Sequence, residues 1–426
     1  MRHIFSQLRA AVELWDLVKN DPYPTDRFLG NYFHLHRKKF GSRDRRFLSE
    51  IIYSLFRNRT YLEAWAAASH ETGSLFVVFM AIFLEDLLPL PEWSESLRSQ
   101  FPKIDTEKLA TALKAKELPP EIQKQKLPRG KEWSLKYSFP EWLVTKWIAQ
   151  FGEEETQLLL ESAQVRPPFV IRANTLKASR DSLLETLNQK GWQVSKTERT
   201  ETGILFKERA NLFDSEEFQE GFFEVQDEGS QLVCEMIDAK PGELVWDVCA
   251  GGGGKSLAIA ARMQNKGRII ATDIRQKKLD DLRKRAKRAG VMTIFPADLE
   301  RMEEIHAIRK GVDKIVVDAP CSGTGTLRRN PDAKGKLKPE IFLRNQLDQI
   351  EIVEKSLPRL KVGGKLFYIT CSLEPEENEQ VMQKVLERHP ELQIVPYPRS
   401  REGYFRLFPH KHETDGFFLA IAEKTK

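Results

Sequence analysis

Two of the four cysteines in the chain stand where a predicted strand meets a polar turn, a position in which a thiol can do chemistry. Cys321 follows the apolar run in "VVDAPCSGTG", and Cys371 follows the one in "YITCSLEPEEN". A thiol there reaches solvent and can be activated as a thiolate nucleophile. An arbitrary pair of cysteines is more often a pair of small buried apolar side chains, but the polar contexts favour the chemical interpretation. Cys234, in a predicted amphipathic helix, is expected to be structural.

A glycine-rich loop follows an earlier strand, "ELVWDVCA". Glycines allow close approach of a ligand to the backbone and open a helix whose N-terminus favours negative charge. The loop is not a P-loop, because the position five before Gly254 is Cys249 and not glycine. Nor is it a dinucleotide fingerprint, because Ser256 replaces the last glycine of that pattern. The loop consists of Cys249, Ala250, Gly251, Gly252, Gly253, Gly254 and Lys255.

Three acids end successive predicted strands after this loop. Asp273 ends "GRIIATD", Asp298 ends "TIFPAD", and Asp318 lies near the end of "VDKIVVDAP". Each acid alone could equally be a helix cap or a turn former. Together, on the edge where the glycine loop opens, they favour a nucleoside-containing cofactor, since an acid at such a strand end binds ribose hydroxyls in Rossmann-type sites. An adenosyl group with an amino-acid tail fits a loop that lacks the pyrophosphate fingerprint.

The elements that must position these residues alternate regularly from about residue 240. Five short apolar strands separated by helices predict an α/β fold with a parallel, doubly wound, Rossmann-like sheet, whose ligands bind beyond the carboxyl ends of the strands. Two late strands, "LQIVPYP" and "GFFLAIAEK", follow. A small α+β unit precedes the sheet, and the first 90 residues have helical periodicity. Residues 91–137 are predicted to be the end of the helical domain running into a linker. The predicted domains are 1–130, 131–235 and 236–426.

Composition narrows the class of protein further. The chain has 426 residues and a formal net charge of +5. The start lacks secretory-signal character, and the apolar run at 75–90 is too short for a bilayer, so we expect a cytoplasmic protein without a membrane segment. The cysteines lack metal-ligand spacing, so no metal site is expected. Residues 36–46 carry six Lys or Arg and one acid. This segment is either a solvated helix connection or a surface for phosphate contacts.

The motifs resemble those of the RsmB/Nop/Sun family of RNA (cytosine-C5)-methyltransferases. The resemblance rests on "DVCAGGGGK", "ATDIRQKKL", "VVDAPCSGTG", "RRNPD" and "YITCSLEPEENEQV", with "FVIRANTLK" and "FFEVQDEGSQLV" upstream and "DGFFLAIAEK" at the end. Together these cover residues 138–426 in order. The helical first third resembles, more weakly, the NusB-like RNA-binding domain of the bacterial RsmB branch, which acts on 16S ribosomal RNA.

The resemblance implies S-adenosylmethionine as methyl donor, bound by the loop Cys249–Lys255 with Asp273, Asp298 and Asp318. It implies that Cys371 is the nucleophile, which attacks C6 of cytosine, and that Cys321 assists release of the methylated base. Asp318 is expected to hydrogen-bond or protonate the ring at N3. The sequence departs from the family where Gly251 and Gly252 replace Ala-Pro, which loosens the loop backbone.

The target base must leave its stack, so the resemblance also implies a basic RNA-binding surface. Arg328, Arg329 and the basic helix between Arg275 and Arg288 could supply it, although an ordinary solvated face is the simpler interpretation of that helix. We expect a monomer that binds RNA and not DNA. Alternatives are a tRNA substrate, a non-catalytic RNA-binding assembly factor, and a nicotinamide oxidoreductase, the last disfavoured by the missing fingerprint.

Overall fold

A computed structural model of the chain describes residues 2–208, 211–300, 305–397 and 403–426, with side chains from residue 6 onward. The chain forms two compact units. One, the helical unit, comprises residues 1–166 and 327–339. The other, the sheet unit, comprises residues 167–326 and 340–426. The division into three domains predicted above stays a prediction.

The helical unit is built from amphipathic helices around one apolar core. Its central helix α5 is the run "SLFVVFMAIFL", and all of Phe76–Ile82 in it is buried. Within the described ranges, no helix is long and apolar enough to cross a bilayer. The helices are α1 (Arg2–Val18), α2 (Thr25–Leu35), α3 (Ser42–Arg57), α4 (Arg59–Ala68), α5 (Ser74–Leu84), α6 (Leu90–Gln100), α7 (Thr106–Lys114), α8 (Pro120–Gln123), α9 (Arg129–Tyr137), α10 (Glu141–Phe151) and α11 (Glu153–Ser162).

The expected linker at 91–137 is helical, so that prediction is wrong. The prolines that suggested a linker lie at helix starts: Pro91 and Pro120 occupy the first turns of α6 and α8, and Pro128 precedes α9. Proline is tolerated there because the first amides of a helix have no intrahelical acceptor. Trp93 on α6 and Leu113 on α7 are buried in the core.

The segment 327–339, which follows the Cys321 turn along the chain, belongs to the helical unit. Lys334 is 2% exposed, and its Nζ donates to the carbonyl oxygens of Arg57 (3.1 Å) and Tyr137 (3.3 Å). It also lies 4.1 Å from the ring centroid of Phe139. The Thr25 amide donates to Asp332 Oδ2 at 3.1 Å. The segment is therefore part of the core of this unit and not a surface loop.

The sheet unit begins with a small antiparallel sheet of strand order β2-β3-β1-β4. It confirms the predicted α+β unit. Its elements are β1 (Phe169–Ala173), α12 (Arg180–Gln189), β2 (Val194–Lys196), β3 (Gly203–Phe206), α13 (Glu216–Gln219), β4 (Phe223–Val225) and α14 (Glu228–Ile237).

The larger sheet has eight strands in the order β10-β12-β9-β8-β5-β6-β7, with β11 paired to β12. Its elements are β5 (Leu244–Asp247), α15 (Gly254–Arg262), β6 (Arg268–Asp273), α16 (Gln276–Ala289), β7 (Ile294–Asp298), α17 (His306–Arg309), β8 (Val312–Asp318), α18 (Glu340–Ser356), β9 (Leu360–Thr370), α19 (Glu379–Arg388), β10 (Leu392–Ile394), β11 (Phe405–Leu407), α20 (Pro409–His412) and β12 (Phe417–Lys424).

Five strands, β5 to β9, are parallel, which confirms the Rossmann-like prediction. The sheet as a whole is mixed, because β12 is antiparallel to β9 and to both β10 and β11. Helices cover both faces: along β8, Val316 packs into one core, whereas Ile315 and Val317 pack into the other. The alternation follows the two-residue period of a strand. Loops after parallel strands therefore meet at one edge, where the predicted site residues lie.

Candidate active site

Cys321 and Cys371 lie together at the carboxyl edge of the sheet, with their Sγ atoms 3.4 Å apart. The adjacent parallel strands β8 and β9 end just before them. The Gly325 amide donates to the Cys371 carbonyl at 2.9 Å, and a Cβ at Gly325 would lie 2.6 Å from the Gly416 oxygen. Only glycine permits this approach of the two turns. The hydrogen bond to Cys371 raises the pKa of Cys321, and burial and the charges of Cys371 and Glu377 raise it further.

Glu377 joins the turns that carry the two thiols, and the sequence analysis missed it. It is 0% exposed, and its Oε1 accepts from the Ser322 amide and from Asn345 Nδ2, both at 2.7 Å. The hydroxyls of Ser322 and Ser372 both donate to Oε2. The signal in the sequence was the position of Glu377 in the acidic run "EPEEN", shortly after Cys371. An acid so close to a candidate nucleophile can affect the charge or the position of that nucleophile.

Lys255 and Asp318 form an ion pair beside the thiols, with Nζ 2.7 Å from Oδ2. The Nζ also lies 5.5 Å from the ring centroid of Phe417. Burial alone would lower the pKa of Lys255, but the charges of Asp318, Cys234 and Cys371 raise it above the usual lysine value. Lys255 is therefore a fixed cation between the glycine loop and the end of β8.

The glycine loop turns from β5 into α15 and is held against the end of β6. The Ala250 amide donates to the Thr272 carbonyl at 2.8 Å, and the Gly251 amide donates to Asp273 Oδ2 at 2.9 Å. Asp273 also accepts from the amide and guanidinium of Arg275. Burial acts to raise the pKa of Asp273, but these hydrogen bonds hold it below the ordinary carboxyl value. Asp273 is therefore a carboxylate at the loop.

Asp273 and Asp298 are register partners at the ends of β6 and β7, so the structure brings these two predicted residues together. Asp298 is half-buried, and its Oδ1 accepts from the Glu300 amide at 3.0 Å. Behind the loop lies Asp247, which is 0% exposed and accepts from Ser256 Oγ at 2.5 Å. Burial, aided by the charges of Asp318 and Asp273, raises the pKa of Asp247 to about 7.

The residues at this edge fit S-adenosylmethionine. Gly253 has φ +80°, and a Cβ there would lie 2.5 Å from Leu282 Cδ1, so a glycine is required to keep the loop against α16. The loop then starts α15 with backbone amides available at a helix N-terminus. Carboxylates at the ends of β6, β7 and β8 supply hydrogen-bond acceptors for hydroxyl, amino and ammonium groups. This set of hydrogen-bond donors and acceptors suits an uncharged nucleoside with an amino-acid tail.

The other two cysteines are not members of this pair. Cys234 on α14 is 4% exposed and packs beside Arg172 and Gln226. Burial raises the pKa of Cys249 well above its usual value, so it is a poor nucleophile. Cys249 contributes backbone to the start of the loop, as the sequence analysis expected.

The basic residues expected to contact phosphate have mixed positions. Arg328 is 4% exposed, so the expectation is wrong for it, because a buried guanidinium cannot meet an RNA backbone at the surface. On α16, Arg285 and Arg288 pair with the buried Glu224 of β4, and Arg285 Nη1 donates to the Gly252 carbonyl at 2.6 Å. These two arginines fix the small sheet against α16. The exposed cations of α16 are Lys277, Lys278, Arg283, Lys284 and Lys287.

Comparisons with known proteins agree with this architecture. The sequence model described as 16S rRNA methyltransferase RsmB/F matches residues 234–423. A second, described as the RsmF/B-like ferredoxin-like domain, matches residues 139–212. The chain is 33% identical over 298 residues to the probable ribosomal RNA small subunit methyltransferase B of Bacillus subtilis, covering 67% of this chain and 66% of that protein. It is 30% identical to a Synechocystis protein of the same description, covering 71% and 70%.

The matched segment thus spans about two thirds of those relatives. Among solved structures, the crystal structure of PH0851 resembles the chain with a TM-score of 0.76 and 28% identity, and the match covers 98% of both chains. The sequence motifs, the matched domains and the fold agree, and the chain belongs to the RsmB/Nop/Sun family of S-adenosylmethionine-dependent RNA methyltransferases, on its bacterial RsmB-like side.

Proposed function

We propose that the protein methylates C5 of a cytosine in 16S ribosomal RNA through a covalent bond between Cys371 and C6 of the base. The observation that carries this proposal is the pair of thiols 3.4 Å apart, beside the ion pair of Lys255 and Asp318. One thiol is needed to form a bond to the ring, and a second group is needed to help break it. A methyltransferase acting on an exocyclic nitrogen or a ribose hydroxyl has no such need.

The chemistry assigns a task to each group. C5 of cytosine is a weak nucleophile until a thiolate adds to C6 and makes the ring enamine-like. The Cys371 thiolate forms the S–C6 bond, N3 takes a proton from solvent as charge develops there, and the Asp318 carboxylate accepts the hydrogen bond of the resulting N3–H group. S-adenosylmethionine, when bound, supplies an electrophilic methyl group. Water then carries the C5 and N3 protons to solvent as the S–C6 bond breaks. The Cys321 thiol assists this release by donating a hydrogen bond to the Cys371 sulfur, which leaves as thiolate.

The cofactor is held by the loop and by the strand ends. The backbone of Cys249–Lys255, the carboxylates of Asp273 and Asp298, and Asp318 are the groups that we propose contact it. The departure from the family at Gly251 is compatible with this task, because Gly251 has φ +54° and its amide already reaches Asp273.

We propose that the helical first domain is NusB-like and binds RNA. Its basic segment supports this. The connection between α2 and α3 and the first turn of α3 expose six cations, and in the described residues only Glu13 and Glu50 form ion pairs with them. These cations are Arg37, Lys38, Lys39, Arg43, Arg45 and Arg46. We propose further that the protein is a monomer and acts in the cytoplasm, where ribosomal subunits assemble.

The test compares bisulfite sequencing of RNA from cells with and without the gene. We expect one cytosine of 16S rRNA to lose its methyl group in the absence of the gene. A lost methyl group in tRNA would make tRNA the substrate. With purified protein, Cys371→Ala should abolish methylation, and Cys321→Ala should accumulate an RNA–protein adduct on a denaturing gel. Cys234→Ala, which changes a thiol outside the pair, is the matched control.

Calorimetric titration with S-adenosylmethionine separates an enzyme from an assembly factor. If S-adenosylmethionine binds and the Cys371→Ala variant still methylates RNA at the normal rate, Cys371 is not the nucleophile. If no heat of binding is seen at high cofactor concentration, the protein is not the proposed enzyme, and a non-catalytic RNA-binding factor is the remaining interpretation.

A further inference from the structure

The Glu377 carboxylate accepts hydrogen bonds from both thiol-bearing turns. Its hydrogen-bond partners include Ser322, which directly follows Cys321, and Ser372, which directly follows Cys371. The Ser322 amide donates to it as well, at 2.7 Å. Ser322 Oγ and Ser372 Oγ are themselves 3.2 Å apart. One buried carboxylate therefore fixes the spacing of two turns that lie 50 residues apart in the chain.

Glu377 is itself held from behind. Tyr368 Oη donates to its carbonyl at 2.5 Å, and its amide donates to the Glu374 carbonyl at 3.1 Å. The next residue, Asn378, donates from Nδ2 to the Ser372 carbonyl at 2.9 Å. With both its backbone and its neighbour fixed, the carboxylate has little freedom to follow a moving turn. It can impose a position on the turns.

Charged groups lie close to the thiol pair. The hydrogen bond to Cys371 raises the pKa of Cys321, and burial and the charges of Cys371 and Glu377 add to that shift. Lys255 has Cys371 among the charges that raise its own pKa, after burial, Asp318 and Cys234. Glu377 is thus an anion beside the turn that carries Cys321, where it accepts from Ser322. A like charge disfavours a thiolate, and an opposite charge favours it.

We propose that Glu377 is the positioning residue of the thiol pair: its hydrogen bonds to Ser322 and Ser372 fix the two turns, and its charge disfavours a thiolate on Cys321. The proton lost by Cys371 goes to solvent. The inference rests on the proposed function and adds to it a physical reason for which thiol attacks. The Cys321 S–H then points to the attacking sulfur as a hydrogen-bond donor and is available when that sulfur departs.

The test uses Glu377→Gln, which removes the charge and keeps the shape. The amide oxygen can accept from the Ser322 amide and Asn345, and the amide nitrogen can donate to the two serine hydroxyls, which accept as well as donate. Glu376→Gln makes the same change of charge one residue away and is the matched control.

The readout is the rate of iodoacetamide alkylation of each thiol against pH, measured by peptide mass spectrometry in Cys371→Ala and Cys321→Ala backgrounds. We expect the Cys321 thiol to react only at a pH above that of an ordinary thiol, because its pKa is raised. Glu377→Gln should lower the pH at which Cys321 reacts by about one unit or more, the size of a nearby charge effect. Glu376→Gln should leave it in place. An unchanged Cys321 profile in Glu377→Gln would overturn the inference.

Positioning is tested separately with Glu377→Ala and, should that variant not fold, with Ser322→Ala and Ser372→Ala. The expected result is a fall in kcat of about tenfold or more with unchanged affinity for S-adenosylmethionine, and partial recovery in Glu377→Gln, which keeps the hydrogen bonds but not the charge. Equal losses in kcat and cofactor affinity would indicate a general structural role and refute positioning.

The alkylation readout needs no RNA, so the two proposals fail separately. If Glu377→Gln shifts the alkylation profile of Cys321 but the protein methylates no cytosine, only the proposed function is refuted. Cytosine methylation with no effect of Glu377→Gln on the thiols would refute the role of Glu377 alone.

Discussion

Lys255 and Asp318 meet at the carboxyl edge of the sheet with 2.7 Å between Nζ and Oδ2, although one residue opens α15 and the other ends β8. Both side chains are largely shielded, at 12% and 33% exposure. The pair joins the glycine loop to the strand that leads to Cys321. A cation held here neutralises the Asp318 carboxylate and also lies near Cys371, so cofactor loop and thiols share one electrostatic unit.

Breaking this pair should impair the proposed reaction from either side. Lys255→Met and Asp318→Asn are each expected to lower kcat/KM at least tenfold, because each leaves the other charge without its partner. Because the two losses share one interaction, the double variant should lose less than their sum, with a coupling of about 1–3 kcal/mol. The check is a double-mutant cycle of methylation rates. If the two losses simply add, the coupling free energy is zero and the ion pair itself does not contribute to the reaction.

Much of this site was predictable because it is local. A short apolar strand followed by glycine, aspartate or a polar turn is visible in the sequence, and a parallel sheet brings such strand ends to one edge. Cys321, Cys371, Asp273 and Asp298 were found in this way. Glu377 was not, because it is one of four acids among Glu374, Glu376, Glu377 and Glu379, and only tertiary packing determines which of them contacts the thiol turns.

Long-range pairing was also beyond the sequence pattern. The "RRNPD" segment resembles a charged surface loop, yet Arg328 in it and Lys334 just after it are buried, and both belong to the helical unit. The antiparallel direction of β12 against β9 depends on the route of the chain between them, which hydrophobic alternation does not encode. Prolines misled for a similar reason, since Pro at a helix start and Pro in a linker look alike in sequence.

Asp273 should contribute to cofactor binding through its carboxylate and not through Arg275. Asp273→Asn is expected to weaken binding of S-adenosylmethionine at least tenfold, because it removes the charge and one acceptor at the loop. Arg275→Ala is the control: it removes the guanidinium but leaves the carboxylate bonded to the Gly251 amide. Calorimetry gives both affinities. A loss in Arg275→Ala as large as in Asp273→Asn would show that the arginine is the important partner.

The glycine loop should tolerate a methyl group at one position and not at another. Gly253→Ala is expected to destabilise the sheet unit by about 1–3 kcal/mol, since its Cβ would lie 2.5 Å from Leu282 Cδ1 and the residue has φ +80°. Gly254→Ala adds the same methyl group one residue later, where the nearest atom is Arg285 Nη2 at 3.8 Å. Its effect should stay within about 0.5 kcal/mol. Thermal unfolding of both variants, with cofactor titration, measures the contrast, and equal losses would refute it.

Asp247 should make stability fall as pH rises from about 4 to 7. In the folded protein burial raises the pKa of this carboxyl to about 7, whereas in the unfolded chain it ionises near its ordinary value of 3.8. Between these two values the folded state binds more protons than the unfolded state, so raising the pH favours unfolding. Above about pH 7 the whole penalty is present.

Asp247→Asn resembles the protonated form and should remove this dependence. The difference in stability between variant and wild type is therefore expected to grow in favour of the variant by about 1–3 kcal/mol between pH 5 and pH 8, since one pKa unit corresponds to about 1.4 kcal/mol. Asp238→Asn is the control, because hydrogen bonding to Lys240 lowers the pKa of Asp238 and its contribution is flat over that range. Calorimetric unfolding at each pH gives the comparison. Parallel pH curves for wild type and Asp247→Asn would show that the buried carboxyl is already charged in the folded protein.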